Sequence, residues 1–271
     1  MSKSSELLIT GGCSYGDRRY SGYLKHNVTP WPELVKEQLE IETLNLCRSG
    51  YSNDNITNSV MDAVIDNLDK KLIVMILWTS PNRLNFFDYA THVAGKHFQY
   101  DDGYQSPMHK IIEDFLELNE FWGSDFDKAV VNYNLRCMWK LNEFLKNNDI
   151  EFYQAQSSSL ITNSVWMGKD ESEEDKQRRY HKLINETPYN RYYNPYFFTT
   201  QSFRSNMKWM GDLTCQLSDE DSHPNEKGHH YILECFLTMK ESGINEISSD
   251  VVYGGFNVPL NNIKYTEFVY D

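Results

Sequence analysis

Apolar residues recur along this chain in two rhythms. Short unbroken runs end in glycine or polar turns, and longer stretches between them place an apolar residue every third or fourth position. Leu7 to Thr10 is a short run closed by Gly11-Gly12, and it predicts a buried strand feeding a turn. Pro30 to Leu39 predicts a helix, with Thr29 placed to cap it and proline in the first turn, where a missing N–H is tolerated. Glu42 to Leu46 predicts a second strand, and Arg48 to Asn53 a polar turn containing glycine. Asp54 to Leu68 carries Ile56, Val60, Val64 and Leu68 as a helical stripe, with Asn53 as its expected cap. Leu72 to Trp78 is unbroken and rich in branched residues, as expected of a parallel strand covered on both faces.

The regularity lapses over residues 85 to 107, which read as a long loop, and again over 157 to 215. Helices are predicted at 108 to 122 and 126 to 148, the second with Leu135, Met138, Trp139, Leu141, Phe144 and Leu145 on a broad apolar face. Glu151 to Ala155 predicts a fourth strand and Glu226 to Met239 a closing helix. Strands alternating with helices predict an α/β fold, an open and mostly parallel sheet with helices on both sides. We read residues 1–271 as a single domain with irregular insertions at about 84–125 and 157–215. A C-terminal extension at about 243–271 is expected to wrap the surface or touch a partner.

Charge narrows the partners. The net charge of −13 argues against nucleic acid and against a membrane surface, both polyanionic. The basic stretch Lys176-Gln177-Arg178-Arg179 lies beside Glu173, Glu174 and Asp175 and reads as a solvated helix face. Five cysteines, an odd number with no metal-type spacing, read as reduced thiols in a cytoplasmic chain. The N-terminus lacks the apolar stretch of a signal peptide, and the run from Leu72 to Trp78 is far too short to span a bilayer.

The chemistry follows from where strands end. Sites in open α/β sheets form at the carboxyl ends of the strands. Ser14 follows the first strand, Gly50 the second, and Thr79 to Asn82 the third. Far downstream, Asp221 and His223 precede Pro224 and the closing helix. An early serine with a late acid and histidine is a nucleophile, its base and the base's orienter, if the fold unites them. Asp221 is the favoured acid and Glu220 the second choice. The plainer alternatives are a turn serine at Ser14 and a left-handed turn glycine at Gly50. His229 and His230 read as ordinary helix residues, and Cys13 is expected to point away from the side that Ser14 faces.

These residues resemble the SGNH (GDSL-type) hydrolase superfamily over residues 7 to 83 and 219 to 239. The resemblance implies a flavodoxin-like three-layer α/β/α sandwich with a sheet of about five strands, plus the two insertions. It implies ester hydrolysis by Ser14, His223 and Asp221 or Glu220, with no metal and no cofactor. Backbone N–H groups of Ser14 and Gly50 would form an oxyanion hole. Two departures stand out. Cys13 replaces the family's Asp, and Trp78-Thr79-Ser80-Pro81 has no Asn in register, so a third donor falls to Thr79, Ser80 or Asn82. Tyr15, Trp78 and Arg83 are candidate substrate contacts. Arg83 suits an acidic group on the substrate or, more plainly, a surface salt bridge. The expected substrate is a small-molecule or glycan ester: the aromatic run Tyr189 to Phe198 suits stacking on sugars, as in a carbohydrate O-acetyl esterase, covering an acyl chain, or simply packing as a lid on the sheet edge. Two other readings are a family relative that binds a glycan or partner without turnover, and an assembly protein with homo-oligomer contacts through the aromatic insertion 189 to 209 and the tail. Divergent chains of this kind resemble those of bacterial and bacteriophage genomes.

Overall fold

The computed structural model describes residues 6–80, 83–86, 89–92, 124–157, 186–189, 192, 215–218, 221 and 223–245. Its elements run β1 (Glu6–Gly11), α1 (Ser21–His26), α2 (Trp31–Leu39), β2 (Glu42–Asn45), α3 (Asn53–Ile65), β3 (Lys71–Trp78), β4 (Arg83–Phe86), β5 (Tyr89–His92), α4 (Ser124–Asn147), β6 (Glu151–Gln156) and α5 (Glu226–Ser242). Among the described residues the main sheet has four strands, in the order β2-β1-β3-β6, rather than the expected five. All three pairings are parallel, with Ile9 opposite both Leu44 and Val74, and Met75 opposite Tyr153.

Alternation along the strands sorts the core into two faces. On one face Leu7, Ile9, Leu72, Val74, Ile76 and Trp78 meet Ile56, Val60 and Val64 of α3 and Leu135, Met138 and Leu141 of α4. On the other, Leu8, Ile73, Met75, Leu77 and Tyr153 meet Trp31 and Val35 of α2 and Ile232, Cys235 and Phe236 of α5. The result is a three-layer α/β/α sandwich. Both faces of β1 and β3 are covered, which explains why neither strand carries an alternating polar pattern. All five cysteines are free and buried. Among the described residues no helix is long and apolar enough to cross a membrane.

Several local expectations are corrected. The loop read over 85 to 107 opens on an antiparallel hairpin, with Arg83 opposite His92 and Phe86 opposite Tyr89. Strands of four residues are too short for periodicity to reveal. The short helix α1 carries no long apolar stripe, so periodicity does not reveal it either. Helix α3 ends at Ile65, and Leu68 is exposed instead of completing the stripe. Its cap is Ser52, in a reciprocal capping box with Asn55, and not Asn53. Thr29 makes no cap either: α2 starts after Pro30 with no side-chain cap from its N-cap residue. The predicted helix at 108–122 and the aromatic run from 190 onward, except Tyr192, lie outside the described residues.

Asn53 is released for another task. Its Oδ1 accepts the Thr79 N–H at 2.8 Å, and its Nδ2 donates to the Thr79 carbonyl at 3.2 Å and to Asn134 Oδ1 at 2.6 Å. Asn53 and Asn134 are fully buried. One amide thus clamps the end of β3 to α3 and α4. Asn53→Ala removes the acceptor of the Thr79 N–H and one donor to Asn134 Oδ1, so urea denaturation should show a loss of about 2–3 kcal/mol.

Candidate active site

Ser14 sits on a tight turn beyond β1. Gly16 N–H donates to the Cys13 carbonyl at 3.0 Å, and Asp17 N–H to the Ser14 carbonyl at 3.3 Å. Gly16 is required here: a Cβ would lie 2.5 Å from Cys47 Sγ and 2.9 Å from Cys47 Cβ, so the turn could not rest on β2's continuation. The neighbouring turn after β2 is tied to it by Asp17. Asp17 Oδ2 accepts the Ser49 N–H at 2.8 Å and the Ser49 hydroxyl at 2.9 Å. Burial works against this carboxylate, yet the N–H groups of Ser49 and Arg19 and the Ser49 hydroxyl hold it below the usual carboxylate range. Gly50 follows with φ of 85°, a left-handed conformation that favours glycine. Among the described residues nothing accepts the backbone N–H of Ser14 or of Gly50.

The late segment folds back on itself before presenting its side chains. Leu217 N–H donates to the His223 carbonyl and Asn225 N–H to the Cys215 carbonyl, closing a narrow loop. Asn225 then caps α5 by accepting the Gly228 N–H at 3.1 Å. Held on this loop, Asp221 Oδ1 lies 2.6 Å from His223 Nδ1 and also accepts the His223 backbone N–H at 3.1 Å. His223 Nε2 lies 2.8 Å from Ser14 Oγ. The carboxylate favours the tautomer in which Nδ1 carries the proton that Asp221 accepts, and in that tautomer Nε2 accepts from the serine hydroxyl. Burial opposes the Asp221 charge, but the His223 N–H groups and the Tyr20 hydroxyl together hold its carboxyl below the ordinary range.

No family model matches this sequence, and no curated protein matches it. Among solved structures the chain is similar to a GDSL-like lipase from Bacteroides thetaiotaomicron, at 11% identity over 90% of this chain and 91% of that one, with a TM-score of 0.42. It is similar to the psychrotrophic esterase EstA from Pseudoalteromonas sp., at 10% identity over 89% of this chain and 99% of that one, with a TM-score of 0.41. A lipase from a goat rumen metagenome gives 10% identity over 86% and 96%, with a TM-score of 0.41.

The remaining residues sort by position. Glu220 and Asn82 lie outside the described residues. Trp78 is fully buried and its indole N–H donates to Gln154 Oε1 at 2.8 Å, so it belongs to the core and not to a substrate surface. Thr79 is buried, with its hydroxyl turned to the Cys13 thiol. Ser80 is half-buried, its carbonyl accepting the Arg83 N–H at the entry to β4. The Cys13 thiol is buried in the face covered by α2 and α5, 4.0 Å from Ser14 Oγ. Tyr15 is buried, its ring edge-on to His223 at 5.6 Å.

Two residues that the sequence did not flag complete the surroundings of His223. The Tyr20 ring stacks on the imidazole at 4.0 Å between centroids, and its hydroxyl donates to Asp221 Oδ2 at 2.9 Å. Burial and this carboxylate push the phenol upward, so it stays a donor. Beneath lies Tyr23, edge-on to His223 at 6.3 Å and to His229 at 4.7 Å. His229 is fully buried in α5, and its Nδ1 accepts the Trp31 N–H at 3.2 Å. The cap of α2 comes from 198 positions away in the chain. Only the spacing Ser14-x5-Tyr20 could have hinted at Tyr20, and that spacing means nothing until the turn is known.

Proposed function

We propose that this chain is a divergent serine hydrolase of the SGNH type that cleaves an ester by acyl transfer. The reading rests on one observation: the unbroken line from Ser14 Oγ through His223 to Asp221, with contacts of 2.8 and 2.6 Å. His223 Nε2 takes the hydroxyl proton as Ser14 Oγ bonds to the acyl carbon. The carbonyl electrons move onto oxygen, where the N–H groups of Ser14 and Gly50 receive them. The alcohol leaves with the proton from Nε2. Water, deprotonated by the same nitrogen, then releases the acid and restores Ser14. Carbohydrate O-acetyl groups are one ester class that suits this chemistry.

The test is a fluorophosphonate probe on the intact protein with peptide mapping. A phosphonylated Ser14 supports the reading, since only an activated serine reacts. An unmodified Ser14 in folded protein removes it and leaves a binding role.

Tyr20 serves as a positioning residue in this scheme. Tyr20→Phe keeps the stacked ring and loses the bond to Asp221, and should lower kcat several-fold. Tyr20→Ala loses both and should lower kcat by about tenfold or more. KM should change little in either, as steady-state kinetics on a neutral ester will show. A fall carried by KM alone would assign Tyr20 to substrate binding instead.

A further inference from the structure

Two arginines converge on Tyr51, the residue after Gly50. Arg83 Nη1 donates to the Tyr51 carbonyl at 3.2 Å, and the Arg48 guanidinium carbon lies 6.0 Å from the Tyr51 ring centre. Arg48 belongs to the turn after β2, where its N–H donates to the Gly12 carbonyl, and Arg83 opens β4 just past β3. Both stand at the sheet edge that carries Ser14. Among the described residues no carboxylate pairs with either, although Arg19, Lys71 and Lys240 each have one. Arg83 Nε is buried without a partner. The Arg83 charge reaches the nucleophile's neighbour: burial pushes the Cys13 thiol up, and Arg83 leads the influences that bring it below its ordinary value. The chain holds 39 acidic and 26 basic residues. Two guanidinium groups that no carboxylate of the described residues pairs with, at the sheet edge that carries Ser14, run against that balance. A guanidinium fork matches carboxylate, phosphate and sulfate oxygens.

We propose that Arg83 and Arg48 form a subsite for an oxyanion group carried by the ester, so that the preferred substrate is an anionic ester. This rests on the hydrolase reading of Ser14. The subsite also gives specificity a physical source. The chain's net negative charge disfavours anions at long range, and the two arginines reverse that locally.

Matched ester pairs test it. Monoethyl succinate against diethyl succinate places the charge on the acyl side. 3-Acetoxypropionate against its methyl ester places it on the alcohol side. In at least one pair the charged member should have a kcat/KM about tenfold higher, and the advantage should shrink in high salt. Arg83→Gln and, separately, the exposed Arg48→Gln should each reduce that charged-to-neutral ratio several-fold. A neutral preference in both pairs, or variants that slow both members equally, overturns the subsite. If the wild type hydrolyses none of the four, fluorophosphonate labelling of Ser14 judges the hydrolase reading separately. Calorimetric titration of the two anionic esters into Ser14→Ala protein then decides the subsite. Binding weakened about tenfold by adding Arg83→Gln supports it, and absence of binding overturns it.

Discussion

Ser14→Ala should lower kcat/KM on any ester the protein cleaves by about 10⁴-fold or more, with the fold intact by circular dichroism. The serine hydroxyl makes the covalent bond in the proposed scheme, and it stands 2.8 Å from the imidazole. His223→Ala should cost about as much, because a serine without its base is an ordinary alcohol. The double variant should be scarcely worse than either single one, since the pair acts as a unit. Asp221→Asn should cost about 10⁴-fold by a different route. Its amide can still touch Nδ1 but favours the tautomer with the proton on Nε2, which cannot accept from Ser14. Rates measured on the four proteins with one activated ester give the answer. Additive losses, or an Asp221→Asn protein within tenfold of wild type, would mean that the three side chains touch without working together.

The parts of this arrangement differ in how visible they were before the fold was known. The sheet was legible because its strands are covered on both faces, so Leu7 to Thr10 and Leu72 to Trp78 stand out as unbroken apolar runs. Ser14, Gly50 and His223 were legible because turn glycines and a His-Pro pair mark strand ends and a helix start. The family's usual spacing falls on Glu220, which lies outside the described residues; Asp221, the favoured acid two positions before His223, has its Oδ1 2.6 Å from His223 Nδ1. Tyr20, Asn53 and His229 were not legible for one reason. Each acts on a group far away in the chain: Asp221 at 201 positions, Thr79 at 26 and Trp31 at 198. Local propensity cannot report such pairings. A polar residue at a helix start looks the same whether it caps its own helix or clamps a strand end, as Ser52 and Asn53 demonstrate side by side.

His229 should make the protein's stability depend on pH in a way that one substitution removes. The ring is fully buried, and Nδ1 is occupied as the acceptor for Trp31 N–H. Protonating Nδ1 would break that bond and place a charge among Tyr23, Trp31 and the core of α5. Burial first, and then the charges of His223 and His230, push the imidazole down to about 3 from an ordinary value of 6.5. Between those two values the unfolded chain binds a proton at this site and the folded chain does not. Stability therefore falls as pH falls through that window, by about 1.4 kcal/mol per pH unit, for a total of order 5 kcal/mol. Above pH 6.5 the site is neutral in both states and contributes no slope. Asn at this position can still accept the Trp31 N–H but does not titrate. His229→Asn should be about 1–2 kcal/mol less stable than wild type at pH 8, through lost contact with Tyr23. Below pH 6 the gap should close and then reverse. Urea denaturation of both proteins at pH 8, 6, 5 and 4 measures it directly. Two stability curves that run parallel from pH 8 to 4 would show that the buried imidazole takes up its proton as readily in the folded chain as in the unfolded one.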